Sequence, residues 1–429
     1  MRGPDALDPT LAPPGYRSRI ADSAIADALA RMPAVVIEGP RGCGKTWAAR
    51  NAARSEVLFD GDTDARALVA VAPRLVLEGA EPRLLDEWQL VPEIWNHVRH
   101  ACDAAQRRGR FLLTGSAVPP DDRTRHSGAG RMARVRLRPM SLAETGESSG
   151  DVSLGSLLAG EAVAARRPDT TLEQLVEAVC RGGWPRHLDT PARSAQRSLE
   201  DYLGEICRTD ISVVDGVQRD PAGVRRLLAS LGRNVATTAT FTTLAADTAG
   251  PRPLNRTTAS EYLRSLERLF VVEDVPQWPT HLRSRAALRG APKRHFVDPS
   301  LAAAAVGADP ARLLRELSAL GFLFESLVVR DLRVYGEAND AEVYHYRDAA
   351  NLEVDVIVAG RDGTWMAAEV KLGGVRAVDD ATRTLRRLRD KVDTDRMGAP
   401  AKLAVITATG YAYDRPDGIT VLPITTIGP

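Results

Sequence analysis

The string Gly39-Pro-Arg-Gly-Cys-Gly-Lys45-Thr46 constrains this chain more than any other feature. It satisfies GxxxxGK[ST] and stands between the apolar run Ala34 to Ile37, which reads as a buried strand, and a helical stretch. That context is what the motif needs. Gly39, Gly42 and Gly44 let backbone N–H groups face phosphate oxygens, and the N-terminus of the following helix adds its positive end. Lys45 then reaches the β- and γ-phosphates of a nucleotide and Thr46 ligates magnesium, with Pro40, Arg41 and Cys43 completing the cradle. ATP with Mg2+ is the expected ligand.

Two strand ends downstream supply matching chemistry. Arg83-Leu-Leu-Asp86-Glu87 closes a short apolar run with adjacent carboxylates: Asp86 suits the outer magnesium shell and Glu87 suits activation of the attacking water. Leu112-Leu-Thr114-Gly-Ser116 places hydroxyls at another strand end, where Thr114 either senses the γ-phosphate or caps a helix. Arg131, after Gly130, is a candidate arginine finger or sensor.

Composition narrows the setting. No stretch of the 429 residues approaches the roughly 18 uninterrupted apolar residues of a membrane span, and the Pro-rich start lacks a signal-peptide core. A cytoplasmic protein without a membrane partner is expected. The four cysteines, Cys43, Cys102, Cys180 and Cys207, form no metal-ligand spacing, which points to free thiols. The formal charge of +1 neither demands nor excludes nucleic acid. Lysine occurs only at positions 45, 293, 371, 391 and 402, so of 57 basic residues 57 − 5 = 52 are arginine. Arginine wealth therefore says little about nucleic acid, whereas a retained lysine marks a place that requires a compact ammonium.

Apolar runs at Val57 to Phe59, Leu84 to Leu85, Phe111 to Leu113 and Val135 to Leu137 alternate with helical segments and predict an α/β domain with a parallel sheet. The expected division is a flexible tail over 1–17, a nucleotide-binding domain over 18–150, a helical and winged-helix domain over 165–305, and a second α/β domain over 310–429. The Gly/Ser-rich GESSGDVSLGS reads as a linker or domain edge after the first domain.

In GPRGCGKT, LLDEWQ, LLTGS, AGR before RVRLRPMSLAE, RGGWP at 181–185, RTDI at 208–211 and KRHFVDPSLA from 293, the chain resembles prokaryotic AAA-like ATPases fused to a C-terminal domain of unknown function. The resemblance runs from about Arg19 almost to the end and implies an AAA-type P-loop ATPase domain, with a ring or other homo-oligomer in which a finger arginine completes a neighbour's site. Trp88 departs from it, since a smaller aliphatic residue is usual there.

In the middle segment, Thr242 to Thr248, a Pro-containing turn and a helix from Arg256 to about Phe270 capped by Asn255 follow the order of a winged helix-turn-helix, with Val271 to Val275 and Arg294 to Val297 as the wing. Arg256, Arg264 and Arg268 face outward from that helix and are candidate contacts to DNA or RNA, diluted by Glu261 and Glu267.

Near the C-terminus, Glu353-Val-Asp355 opens one strand and Glu369-Val-Lys371 ends the next, the D…ExK arrangement of PD-(D/E)xK nucleases. Asp355 and Glu369, with Glu325 from a preceding helix, would hold a second divalent cation while Lys371 stabilises charge in phosphate chemistry. His345 lies close enough in sequence to touch a substrate there, and His97 with His100 reads as a surface helix rather than zinc. Two functions fit: an ATP-driven enzyme that remodels, moves along or cleaves nucleic acid, and an ATP-dependent signalling or defence switch whose nuclease-like domain binds or serves as a toxin.

Overall fold

Five strands, β1 (Ala34–Glu38), β2 (Ser55–Leu58), β3 (Arg83–Asp86), β4 (Phe111–Gly115) and β5 (Met132–Arg136), form an all-parallel sheet in the order β2-β3-β4-β1-β5. The structure, a computed structural model, describes residues 11–105, 107–118, 127–165, 167–214, 216–248, 253–280 and 290–429. Every residue of β1 and β4 is buried, as the continuous apolar runs require of central parallel strands. On one face, Ala34, Val36, Leu85, Phe111 and Leu113 join Ile94, Trp95, Val98 and Cys102 of α3 (Ile94–Ala105) in a single core. On the other lie α1 (Ala21–Arg31) and α2 (Lys45–Ala52). Because β1 has β4 on one side and β5 on the other, a crevice opens beyond its C-terminal end, and the loop from Gly39 fills that position.

The chain divides into two compact units, residues 1–138 with 268–270, and 139–267 with 271–429. Residues 139–150 fall in the second unit, so the Gly/Ser stretch lies near the edge between the units, and it is tied down rather than a free linker. Val152–Ser153 (β6) pairs in parallel with Ile427–Gly428, and Ser148 donates to the Ile427 carbonyl at 2.7 Å. Within the tail, residues 1–10 lie outside the described residues. Leu11 N–H bonds the Ala53 carbonyl at 2.9 Å and the Tyr16 hydroxyl bonds Asp22 at 2.6 Å, so 11–17 is held to the first unit.

The segments expected as separate domains over 165–305 and 310–429 share one unit because a helix joins them. Helices α4 (Leu172–Arg181), α5 (Ala192–Glu205), α6 (Pro221–Arg233), α7 (Phe241–Asp247), α8 (Arg256–Arg268) and α9 (Pro299–Ala305) precede α10 (Leu317–Ala338). α10 is buried along most of its length, touching α4 and α9 as well as strands β7 (Ala341–Arg347), β8 (Glu353–Gly360) and β9 (Trp365–Lys371). Those strands form an antiparallel meander that continues in parallel through β10 (Lys402–Thr407) to β12 (Thr420–Pro423), with β11 (Tyr413–Asp414) on the edge and β13 (Ile427–Gly428) paired elsewhere. Helix α11 (Val375–Lys391) crosses between β9 and β10, laying Val378, Ala381, Leu385 and Leu388 on Trp365, Ile357 and Val405.

The helix order expected between 242 and 270 is present, and Asn255 accepts the Thr258 N–H at 2.8 Å as its cap. Antiparallel bridges join Val272 to Phe296 and Val275 to Lys293. Residues 249–252, where the turn is expected, and 281–289 lie outside the described residues. No described helix is long and apolar enough to cross a membrane.

Candidate nucleotide site and carboxylate centre

The loop after β1 is pinned from behind. A Cβ on Gly39 would sit 2.0 Å from the Leu137 carbonyl oxygen, so the position admits only glycine. Buried Cys43 directs Sγ to that same oxygen at 3.3 Å. Arg19 donates from Nη1 to the Cys43 carbonyl at 2.9 Å and from Nη2 to the Arg138 carbonyl at 2.8 Å, which clamps the loop to the segment after β5. Gly42 and Gly44 take φ of +82° and +101°, turning the chain so that α2 begins at Lys45 with its amide end at the crevice. Lys45, 4% exposed, bonds the Pro40 carbonyl at 2.9 Å, while Arg41 is exposed.

Behind the loop a hydrogen-bond chain joins three strand ends. Asp86, 4% exposed, accepts from Thr46 at 2.9 Å and from Thr114 at 2.5 Å, both on Oδ1. Thr114 in turn accepts the Glu87 N–H at 3.1 Å. Since Thr46 spends its proton on Asp86, its lone pairs remain for a cation, and a hydroxyl beside a carboxylate is an all-oxygen donor set suited to Mg2+. Burial pushes the Asp86 carboxyl upward, against the two hydroxyls that hold it down. A neighbouring dication would return it to the ionised form. Glu87 adopts a left-handed backbone at φ +55°, a conformation that costs a non-glycine residue about 1–3 kcal/mol. Its carboxylate accepts from Ser116 at 2.9 Å and from Gln89. Trp88, the unusual residue, is buried against Trp95 with ring centroids 4.9 Å apart, so it serves the core of the first unit.

The structure therefore brings Lys45, Thr46, Asp86, Glu87, Thr114 and Ser116 together. Arg131 is elsewhere in the chain. It precedes β5, at the end of the sheet opposite the loop and about 16 Å away along β1, and it pairs with Asp103 at 2.8 Å. Arg19 completes the site without having been singled out by the sequence motifs, and Gln89 entered only as the last residue of LLDEWQ.

The C-terminal carboxylates also converge, but on a cation from the chain itself. Val356 pairs with Ala368, which brings Asp355 level with Glu369. Lys371 bonds Glu369 at 2.7 Å and Asp355 Oδ2 at 3.1 Å, and Asp355 Oδ2 also accepts the Val370 N–H at 2.9 Å. Lys293, 1% exposed, enters from the other side and bonds Glu325 at 2.7 Å, Glu353 at 3.2 Å and Asp355 Oδ1 at 3.2 Å. Burial alone would raise the Asp355 carboxyl, yet Lys293 and Lys371 outweigh it and hold it down at about 2. Burial, reinforced by the charge of Asp355, pushes Glu325 and Glu369 up to about 8. The expectation that Asp355, Glu369 and Glu325 hold a divalent ion is thus not what the geometry offers. Two ammoniums take up those oxygens, and among the described residues no group of three or more His, Cys, Asp or Glu side chains is arranged to hold a metal.

His345 is not placed to meet a substrate either: it is 0% exposed, and its Nε2 donates to the Ala291 carbonyl at 3.1 Å. Burial, then the charge of Lys293, lowers its pKa from 6.5 to about 4. A neutral buried histidine contributes stability that is present above the unfolded value and is lost as pH falls toward the folded one. Between pH 7 and pH 5 the native protein is expected to lose about 2 kcal/mol more than His345→Gln. Urea unfolding at the two pH values measures the difference, and parallel losses would refute it.

Arg256 and Arg264 are exposed on α8, next to exposed Glu261. Arg268, which with Phe270 counts among the first unit, donates from Nε to the Val118 carbonyl at 3.2 Å. His97 is half-buried and His100 exposed on α3, without a metal-binding arrangement among the described residues.

Three family models match successive parts of the chain: an AAA domain over residues 31–146, and two domains of unknown function over 172–312 and 320–427. An uncharacterised protein of Mycobacterium tuberculosis is 26% identical over 336 residues, which are 77% of this chain and 68% of that protein, and one of Mycobacterium bovis matches equally. Among solved structures, the chain is similar to a Walker-type ATPase of Pyrococcus abyssi, at 14% identity and a TM-score of 0.44, covering 70% of this chain and 98% of that one. It is also similar to the AMPPCP-bound DnaA of Aquifex aeolicus, at 15% identity and a TM-score of 0.28, covering 59% and 88%.

Proposed function

We propose that this chain, whose residues 31–146 are an AAA-type P-loop ATPase domain, hydrolyses Mg-ATP and couples turnover to gripping nucleic acid rather than cutting it. The observation that carries the hydrolysis is the hydrogen-bond chain from Thr46 through Asp86 and Thr114 to Glu87. In it, Thr46 and Asp86 hold the magnesium ion, Lys45 neutralises the β- and γ-phosphates, and Glu87 activates the water that attacks in line. A change at the γ-phosphate moves the Thr114 hydroxyl and hence the Glu87 backbone.

Gripping is favoured over cleavage because the nuclease-like carboxylates are already neutralised by Lys293 and Lys371. Exposed Arg256 and Arg264 offer phosphate contacts that would weaken with salt. Arg131, with 41% of its side chain exposed, fits a role in a neighbouring copy's site and hence a homo-oligomer, ring or dimer. The competing function, a switch that signals through a partner protein, keeps the same nucleotide chemistry and differs in its response to nucleic acid.

ATP turnover of the native chain and of Lys45→Ala, with and without single- and double-stranded DNA and RNA, decides between them. The expected result is magnesium-dependent hydrolysis, abolished in Lys45→Ala, raised by nucleic acid, with the nucleic acid left intact. Turnover indifferent to every nucleic acid would overturn the coupling, and full turnover in Lys45→Ala would overturn the site.

A further inference from the structure

Lys293 is the least expected member of the second unit's interior. It lies in the short bridged segment that pairs with Val275, and its stem is fully enclosed. Its ammonium meets one oxygen each of Glu325, Glu353 and Asp355 at 2.7, 3.2 and 3.2 Å. Three carboxylates from two elements, one on helix α10 and two on β8, thus share one cation. Lysine is rare in this chain, while arginine's planar fork would not fit a convergent point of this kind. Four carboxylates (Glu325, Glu353, Asp355, Glu369) face two ammoniums (Lys293, Lys371) in this centre, so each lysine is shared between carboxylates.

We propose that Lys293 is the resident cation of this centre: its ammonium stands where a divalent metal ion would be coordinated, and its presence is what keeps the centre from taking one. The oxygens around Nζ already converge from different directions, and a shift of about half an ångström would bring them to the 2.3–2.6 Å range of Ca2+ or, slightly closer, Mn2+. Removing the Lys293 side chain leaves a buried excess of negative charge and an enclosed channel where the stem ran, which admits water as the remaining ligands. The proposal does not depend on the ATPase reading. It concerns only the second unit, and its measurement needs no nucleotide.

The test is Mn2+ binding to the full chain, without nucleotide and in the Lys45→Ala background, followed by calorimetry and by the shift in thermal unfolding. The native centre is expected to take up no Mn2+ in the low-millimolar range. Lys293→Ala is expected to bind one equivalent at least about 10-fold more tightly and to melt higher with Mn2+ present. Adding Asp355→Asn should remove both effects. Asp355-dependent Mn2+ binding by the chain with Lys293 intact would overturn the proposal, as would a folded Lys293→Ala that binds none. If Lys293→Ala does not fold, the pair Lys293→Met with Glu325→Gln answers instead. Recovery of folding by the pair supports the role of resident cation, and a pair as unfolded as Lys293→Met alone overturns it.

Discussion

Glu87→Gln is expected to lower ATP hydrolysis about 10²–10⁴-fold while nucleotide binding stays near the native level. The exchange removes the carboxylate's basicity and little else. Glutamine keeps the length of the side chain, still accepts from Ser116 through its carbonyl oxygen, and leaves the Glu87 N–H to Thr114 bond in place. It also tolerates the left-handed backbone at φ +55° no worse than glutamate, so the strand end should not relax. Binding rests on other groups, the loop amides, Lys45 and the Thr46–Asp86 pair. Single-turnover hydrolysis measured beside the affinity for a fluorescent ATP analogue separates the two effects. A hydrolysis rate within a few-fold of native would place the base elsewhere, and a large loss of affinity would mean that Glu87 shapes the nucleotide pocket instead.

The nucleotide loop was legible in the sequence because its chemistry is local. Glycines at fixed offsets, one lysine and one threonine all lie within a turn of each other, and the buried parallel strands beside them are written as apolar runs. The strand-end residues Asp86 and Thr114 followed for the same reason, since each closes a strand whose apolar residues announce it. Arg19 was not legible: it acts on the loop through two backbone carbonyls, and nothing in a stretch of sequence marks a residue for that. Arg131 shows the converse. A Gly-Arg pair suggests a finger in one dimension, and only the parallel register shows that it stands at the far end of the sheet from its own loop.

In the second unit the missing information is tertiary throughout. The Gly/Ser stretch has a linker's composition, but Ser148 and Val152 find partners in the last three residues of the chain before Pro429. Lysine scarcity did carry a signal for Lys293, which with Lys45 and Lys371 occupies a site built for an ammonium. What sequence spacing does not reveal is that Glu325, Glu353 and Asp355 converge on it. Lys391, 46% exposed and paired with Asp348, marks the limit of the argument, since a rare residue there serves only a surface ion pair.

Arg330→Met is expected to destabilise the second unit by about 3–5 kcal/mol, the larger of the two stability losses anticipated here. Arg330, 3% exposed in the middle of α10, donates from Nη1 to Asp298 at 2.8 Å and from Nε to Asp331 at 2.8 Å, and both aspartates are fully buried. Asp298 also accepts from Gly183 N–H at 3.1 Å and from Ser300 N–H at 2.9 Å, while the Ser300 hydroxyl takes the Trp184 indole N–H at 3.0 Å. Asp331 accepts from Leu142 N–H at 3.1 Å. This network explains why RGGWP and FVDPS belong together: a Cβ on Gly183 would lie 1.9 Å from the Met140 carbonyl oxygen, so the backbone there can approach only as glycine. Burial raises the Asp331 carboxyl against the pull of Arg330, and without the guanidinium two carboxyls remain in a dry interior with nothing to balance them. They must then bind protons or draw in water, and either response loosens the junction of α4, α9 and α10. The triple exchange Arg330→Met, Asp298→Asn and Asp331→Asn should recover much of the loss, because removing both signs of charge costs less than stranding one. Hydrogen exchange of the α10 amides, read against denaturant, reports on this unit directly. A loss below about 1 kcal/mol in Arg330→Met would show that the interior is wet enough to solvate the aspartates, and that the ion network orients the segments rather than holding them.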